Sequence, residues 1–409
     1  MRNQQGFRAI LLALPSHVCR QPVTFIAIVS TIFLSNAAFC QQVQLKVFPG
    51  NFIYVFEESR KDSIYNVLIH NIGIKNAGVA PLNVDQVNIT FFSAGRIFQQ
   101  DTYFSGDIVK SNQQLYDLQK QNLLAAYDFM FHTKDLMDSS KLSENEALQP
   151  GTGIILRQLF FTMNRWPDSI RITATLREPK KNSIITQTAP LLAKSYISSA
   201  KFILPVRGNW YAGAGPSAHT HHRWGYMEEF AYDLIQLGAD NLTYKDDYTK
   251  PENYYCYGKD VLAVADAEVV SVLDGVDDAV IYPKDLAQDE YMKFIRKRQG
   301  ELIAKFGIAG LNGNSVVLKL TSGEYAFYAH LKKGSIAVKT GDKVEQGKAI
   351  AHIGNSGNTT EPHLHFQLNE TRDVFNSRSI PIRFSNLNWS ESLEPEGSYV
   401  KSGDLVHTK

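Results

Sequence analysis

Residues 354–368 read Gly-Asn-Ser-Gly-Asn-Thr-Thr-Glu-Pro-His-Leu-His-Phe-Gln-Leu, a tight glycine loop running into a short apolar strand. On a strand, residues i and i+2 share a face, roughly 6.6–7 Å apart. His363 and His365 therefore share one face, while Leu364 and Phe366 take the other and can pack. One imidazole of such a pair can bind a metal while its neighbour reaches the metal's water. Taken alone, His-x-His is a weak signal, because two surface histidines on a strand give the same pattern.

The surroundings sharpen it. Upstream, Tyr328-Ala329-His330-Leu331 ends another strand with a histidine. Further up, Phe230-Ala231-Tyr232-Asp233-Leu234 places one carboxylate inside an apolar strand, and a buried aspartate needs a metal or a cation. Before it, Ser217-Ala218-His219-Thr220-His221-His222-Arg223 holds three histidines in four residues, a short tract that hints at metal. Two histidines and one carboxylate with an open fourth position are the protein ligand set of a hydrolytic zinc site. Zinc lowers the pKa of its bound water to about 7, and a neutral imidazole nearby can take the proton.

With these residues in place, the chain resembles the lysostaphin-type, or M23, zinc metallopeptidases. The resemblance covers roughly Gly213 to Asn369 and is strongest from Gly341 to Leu368. There Gly341-Asp342-Lys343-Val344, Gly347, Gly354-Asn355-Ser356-Gly357 and Pro362-His363-Leu364-His365-Phe366 follow the family pattern. The resemblance implies that Asp233 and His365 are zinc ligands. It implies that His330 and His363 are the two non-ligand histidines that orient or deprotonate water and stabilise the oxyanion. It also implies a histidine ligand four residues before the aspartate, and here the sequence departs: that position is Glu229. Some members carry a Gly-Pro-Ser stretch, then His-Arg, then an insertion before a Phe-Ala-x-Asp strand. Gly215-Pro216-Ser217 and His222-Arg223 fit that variant, so His222 is favoured, with His221 second and His219 third. Trp224 to Glu229 then forms a small loop at the site's edge. The implied cofactor is Zn2+, and the implied substrate is the peptide part of bacterial peptidoglycan.

The rest of the chain sets the frame. At 409 residues it has room for two or three domains. Lys plus Arg number 42 against 41 Asp plus Glu, so there is no basic excess to mark nucleic acid as a partner. Residues 1–40 carry Arg2, Arg8 and Arg20, no acid, the apolar run Val23 to Leu34 and then small residues. That is a secretory signal, or an anchor if it stays uncleaved, and it places the protein in the periplasm or outside the cell. Cys19 and Cys40 leave with a cleaved signal, and Cys256 then reads as a buried small apolar residue.

Residues 41–204 are expected to form a β-sandwich-like accessory domain. Its strands are Gln42–Val47, Phe52–Phe56, Asn66–Ile74, Val84–Phe91, Gly153–Phe161 and Ile170–Leu176. Asn112 to Met137 reads as one or two helices laid over the sheet. His70 and His132 stand alone there and read as surface or satisfied core residues rather than ligands, with no chemistry. Residues 205–374 are the M23-like part, antiparallel β with an open groove. It has two strands in Val261–Leu273, a hairpin about Ser322-Gly323 and a helical insertion at Asp285–Phe306. Residues 375–409 read as a tail. Arg223 could bind a substrate carboxylate or form a surface salt bridge, Tyr254 and Tyr255 line a groove or pack, and His352 sits on a strand without a role. The leading expectation is an exported zinc endopeptidase that cuts peptidoglycan cross-links. The alternatives are a non-catalytic envelope regulator or binding module that uses the same groove, and a peptidase directed at protein.

Overall fold

The computed structural model describes residues 42–138, 140–217, 220–283, 286–388 and 399–408. The signal or anchor at 1–40, Cys19, Cys40 and His219 lie outside the described residues.

Period-two burial builds the first half. In the strand Ser169–Glu178, Ile170, Ile172, Ala174 and Leu176 are buried in alternation with more exposed neighbours. It pairs antiparallel with Leu82–Ser93 on one side and Ser183–Lys194 on the other. Arg96–Phe104 and Phe52–Tyr54 complete the long edges of this sheet. The facing sheet runs Val43–Phe48, Ile64–Asn76, Thr152–Met163, with Phe56–Ser59 added to Ile64–Asn76. Side chains of both sheets meet in one core that includes Ile69, Ile89, Leu156 and Ile172, so this half is a β-sandwich. The run Phe52–Phe56 is split: Phe52–Tyr54 belongs to one sheet and Phe56–Ser59 to the other.

The helical segment begins earlier than its composition suggests. Helices span Ser105–Lys120, Asp128–Phe131 and Thr133–Met137. The Asp107 carboxylate accepts the Phe104 backbone N–H at 3.0 Å, which closes the start of the first helix. That helix covers a sheet edge: the N–H groups of Ile155 and Arg157 donate to Asn112 Oδ1 (3.1 Å) and Ser111 Oγ (2.8 Å).

The second half is a ten-stranded sheet whose central strands are Asn314–Leu320, Tyr325–Leu331, Leu364–Asn369, Tyr232–Ile235 and Asn209–Ala214, all antiparallel to their neighbours. The expected hairpin is present, with Gly323 at φ +109° in its turn. Val261–Leu273 divides into Asp260–Leu262, paired with Ala349–His352, and Ala267–Leu273 in the large sheet. The insertion carries the helix Gln288–Phe306. The described residues past 375 do not read as a free tail, because they pair into the sheet. Ser379–Ile380 pairs with Leu364–Asn369, and Leu405–Thr408 pairs with Asn209–Ala214 and with Leu387–Asn388. Tyr54 and Phe56 of the sandwich half enter the same core as Trp210, Phe230 and Tyr232, so the two halves share apolar packing. Among the described residues no helix is long and apolar enough to cross a membrane.

Candidate metal centre

Three adjacent strands place the polar cluster. Asp233 lies directly opposite His365, and His365 lies opposite Ala329 on the next strand. Tyr232, Leu234, Leu364 and Phe366 are fully buried on the core side of these strands. Alternation therefore delivers Asp233, His363 and His365 to the other face. His330 sits near the end of Tyr325–Leu331 with φ +58°, where the ladder to Asn314–Leu320 slips register. Left-handed backbone at a non-glycine residue is uncommon and marks an over-determined position. Its ring lies 4.8 Å from that of His363 and 5.9 Å from that of His365, centroid to centroid.

The glycine loop holds this corner from behind. Gly357 has φ +83°, and a Cβ there would fall 2.3 Å from the Gly313 nitrogen, so the two backbones meet where no side chain fits. The contact fixes Ser356, whose carbonyl accepts the His330 Nδ1–H at 2.8 Å. His363 Nδ1 is held likewise by the Glu361 carbonyl at 2.8 Å. A carbonyl only accepts, so both rings carry a proton on Nδ1, and the neutral His330 ring keeps its Nε2 lone pair as a base.

Asp233 is the centre of the cluster. His222 Nε2 stands 2.9 Å from its Oδ2, and His365 Nδ1 3.2 Å from its Oδ1. His363 Nε2 is 3.5 Å from Oδ1, and His221 Nε2 is 3.7 Å from Oδ2. The far nitrogens are also engaged. His365 Nε2–H donates to Gln367 Oε1 at 2.9 Å, and Gln367 in turn donates to the Met227 carbonyl at 2.7 Å. His222 Nδ1 lies 3.3 Å from Glu228 Oε2. Burial opposes the charges here, yet the partners prevail. Asp233 Oδ is held well below the usual carboxylate range against desolvation, by His222 and then His363. His222 is raised to about 10 against desolvation, by Asp233 and then Glu228. His330 goes the other way: burial first, then His363 and His365, push it well below the ordinary imidazole value, so it is neutral at pH 7.

This donor chemistry fits a zinc ion. His222 Nε2 and His365 Nδ1 both face the Asp233 carboxylate; His365 has an acceptor at its other nitrogen, as metal-bound histidines do, while the buried His222 Nδ1 lies 3.3 Å from Glu228 Oε2 without a hydrogen bond. Two groups of donor atoms lie within 4.8 Å of one another: His221, His222 and Asp233, and His222, Glu228 and His365. His222 is common to both groups, Asp233 belongs to the first and His365 to the second, while His330 and His363 stand beside them. His221 also reaches Asp233, but its side chain is 71% exposed against 6% for His222.

The expectation for Arg223 changes. Arg223 is neither a surface salt bridge nor open to substrate. It is fully buried, 3.3 Å from Glu229 and above the rings of Phe230 and Phe56. His70 is a satisfied core residue, buried and bonded to Glu229 Oε2 at 2.9 Å. Tyr254 is buried and also lines a cleft with Tyr282, Tyr291 and Glu361, the residue whose carbonyl holds His363. His352 is exposed and pairs with Asp260 at 3.4 Å. Cys256 is buried, with its thiol pushed up to about 12 by desolvation. Gln367 and Glu228 were not anticipated. Gln367 continues the period-two face of His363 and His365, a readable signal. Glu228 comes from an irregular loop and has none.

Residues 285–377 match the model of peptidase family M23, a span that takes in His330, His363 and His365 and begins after Asp233. The chain is 38% identical over 82 residues, 20% of its length and 21% of the relative's, to an uncharacterized metalloprotease of Buchnera aphidicola subsp. Baizongia pistaciae. It is 45% identical over 56 residues, 14% of its length and 13% of the relative's, to peptidoglycan DD-endopeptidase ShyA of Vibrio cholerae serotype O1. The chain therefore spans about a fifth or less of the length of these curated relatives. In structure it is similar to the catalytic domain of the antimicrobial peptidase lysostaphin from Staphylococcus simulans, at 16% identity, covering 42% of this chain and 88% of that one, with a TM-score of 0.23.

Proposed function

From the premise that the chain carries a domain of peptidase family M23, we propose that it is an exported zinc metalloendopeptidase that hydrolyses peptide cross-links of bacterial peptidoglycan. The observation that carries the reading is the Asp233 carboxylate faced by His222 Nε2 and His365 Nδ1, with His365 Nε2 bonded to Gln367 and His222 Nδ1 3.3 Å from Glu228. Similarity to a peptidoglycan DD-endopeptidase supports the substrate class. Export rests on the arginines and the Val23–Leu34 apolar run of the N-terminal sequence.

His222, Asp233 and His365 would hold the ion. Zinc, when bound, acidifies water and polarises a carbonyl at neutral pH. The chain's own groups then divide the remaining work. His330, neutral and fixed by Ser356, offers Nε2 to take a proton. His363, fixed by Glu361, stands beside it and, once protonated, donates to a developing oxyanion. The Tyr254, Tyr282, Tyr291 and Glu361 cleft opens next to His363 and gives an extended peptide an aromatic wall.

Full-length protein incubated with peptidoglycan sacculi tests this, with soluble products identified by mass spectrometry. We expect cross-linked dimers to fall to monomers. Asp233→Asn and chelator-treated samples should be silent, the latter recovering when zinc returns. Absence of release from the zinc-restored wild type would refute the catalytic reading and favour a binding module that uses the same groove.

A further inference from the structure

His222 belongs to a segment with little regular structure of its own. His222–Trp224 forms a single 3-10 turn, and the chain then passes through turns to the strand Tyr232–Ile235. A ligand on such a loop needs support from outside, since metal chemistry tolerates only about 0.5 Å of misplacement. The support comes from the sandwich. Arg223, next to His222, is fully buried and donates to Asn66 Oδ1 of the sandwich at 2.6 Å. Asn66 is itself held by Glu58 at 2.7 Å. The Glu229 carboxylate, at the far end of the loop, pairs with Arg223 at 3.3 Å and accepts from His70 of the sandwich at 2.9 Å. Between these anchors Trp224 meets Phe160, and Tyr226 packs against Phe48. Buried charges that are paired and hydrogen-bonded resist displacement, because breaking one pair leaves the other charge stranded.

We propose that the sandwich half is part of the metal centre: His70 and Asn66, acting through Glu229 and Arg223, are positioning residues for His222. This rests on the reading of His222 as a zinc ligand. It also gives residues 41–204 a role other than lid or spacer: they complete the site rather than cover it. Neither His70 nor Asn66 is placed to touch substrate; their effect reaches the reaction only through the geometry of His222.

The test uses full-length protein carrying His70→Ala, His70→Gln or Asn66→Ala. Zinc affinity is measured by competition with a chromophoric chelator, and the visible spectrum is recorded after loading with Co2+. Loss of an outer partner typically weakens metal affinity ~10–100-fold. We expect that loss in His70→Ala and Asn66→Ala, with an altered Co2+ band and an unchanged far-UV spectrum. In His70→Gln the amide N–H still reaches Glu229, and both affinity and band should return towards wild type. Wild-type zinc binding with equal affinity in folded His70→Ala and Asn66→Ala would overturn the proposal alone. Wild-type protein that takes up no zinc would overturn the ligand reading and this proposal with it. Unfolding of both variants would also overturn it, by making the network a requirement of folding rather than of the site.

Discussion

Gln367→Leu is the most discriminating single change. Gln367 is 2% exposed and makes three hydrogen bonds: it accepts the His365 Nε2–H at 2.9 Å and donates to the Met227 carbonyl at 2.7 Å and to Asn369 Oδ1 at 2.7 Å. Leucine fills similar space but can make none of them, so Asn369 Oδ1 also loses this donor. The Met227 carbonyl keeps one donor, Asn369 Nδ2 at 3.0 Å, so the backbone is not orphaned. The His365 Nε2–H is orphaned, in a ring only 8% exposed. Leaving a buried donor unmade costs about 1–3 kcal/mol. The ring can avoid that cost only by moving its proton to Nδ1, the nitrogen that faces Asp233, and a protonated Nδ1 cannot bind metal.

The same penalty should therefore appear as weaker zinc binding. At about 1.4 kcal/mol per tenfold, 1–3 kcal/mol corresponds to ~5–150-fold in Kd, which overlaps the ~10–100-fold range for lost outer partners. Chelator competition measures it directly. Hydrolysis assayed with zinc in large excess should recover most of its rate, because no residue proposed to move protons has been changed. An unchanged zinc Kd in a folded Gln367→Leu protein would refute the assignment of His365 Nδ1 as a donor atom. A normal Kd with activity lost at every zinc concentration would refute it too, and would move Gln367 into the reaction itself.

Three further outcomes are expected. His330→Ala should keep zinc content, measured by elemental analysis, while kcat falls ~10²–10⁴-fold, the range for a lost acid–base group; loss of zinc would instead make His330 a ligand. Gly313→Ala should lower both the melting temperature and kcat, because a Cβ there lands 2.4 Å from the Ser356 backbone and displaces the carbonyl that fixes His330; a wild-type melt and rate would show that the loop can shift without consequence. Of the 3 cysteines, Cys256 should resist a thiol reagent at pH 8 until denaturant is added, since the thiol is buried and held up to about 12 by desolvation; prompt labelling in Cys19→Ser/Cys40→Ser protein would count against that burial.

What the sequence made legible follows the range of its signals. Period two reads one strand at a time, and it placed His363 with His365 and set Ile170–Leu176 in a sandwich core. It weakens where a strand faces water. Arg96–Phe104 is such an edge, with alternating exposed and half-buried residues and no apolar stripe, and it was not read as a strand. It fails where one apolar run serves two sheets: Phe52–Phe56 looks continuous, yet it crosses between layers near Val55. Residues past Val374 look like loops because their strands are two to four residues long and owe their existence to the strands they join. The helix start was missed because Phe104, a residue without a capping side chain, occupies the N-cap position.

Glu229 shows why the metal centre was legible in part. It lies four residues before Asp233, where the usual spacing puts a histidine ligand. Its carboxylate instead turns to His70 and Arg223, both buried. No local pattern reveals this, because the partner is 159 residues away. Physically, the two roles exclude each other. A neutral imidazole at position 229 would leave the Arg223 guanidinium without its counter-charge in the interior, at a cost of about 3–5 kcal/mol for breaking a buried pair. A loop that closes against the sandwich through a buried arginine therefore needs its acid at 229. On the proposed reading the metal donor then comes from elsewhere on the same loop, and His222 is a buried imidazole there, eleven residues before Asp233 in sequence and 2.9 Å from it in space. The altered spacing and the docked sandwich are thus two consequences of one packing choice.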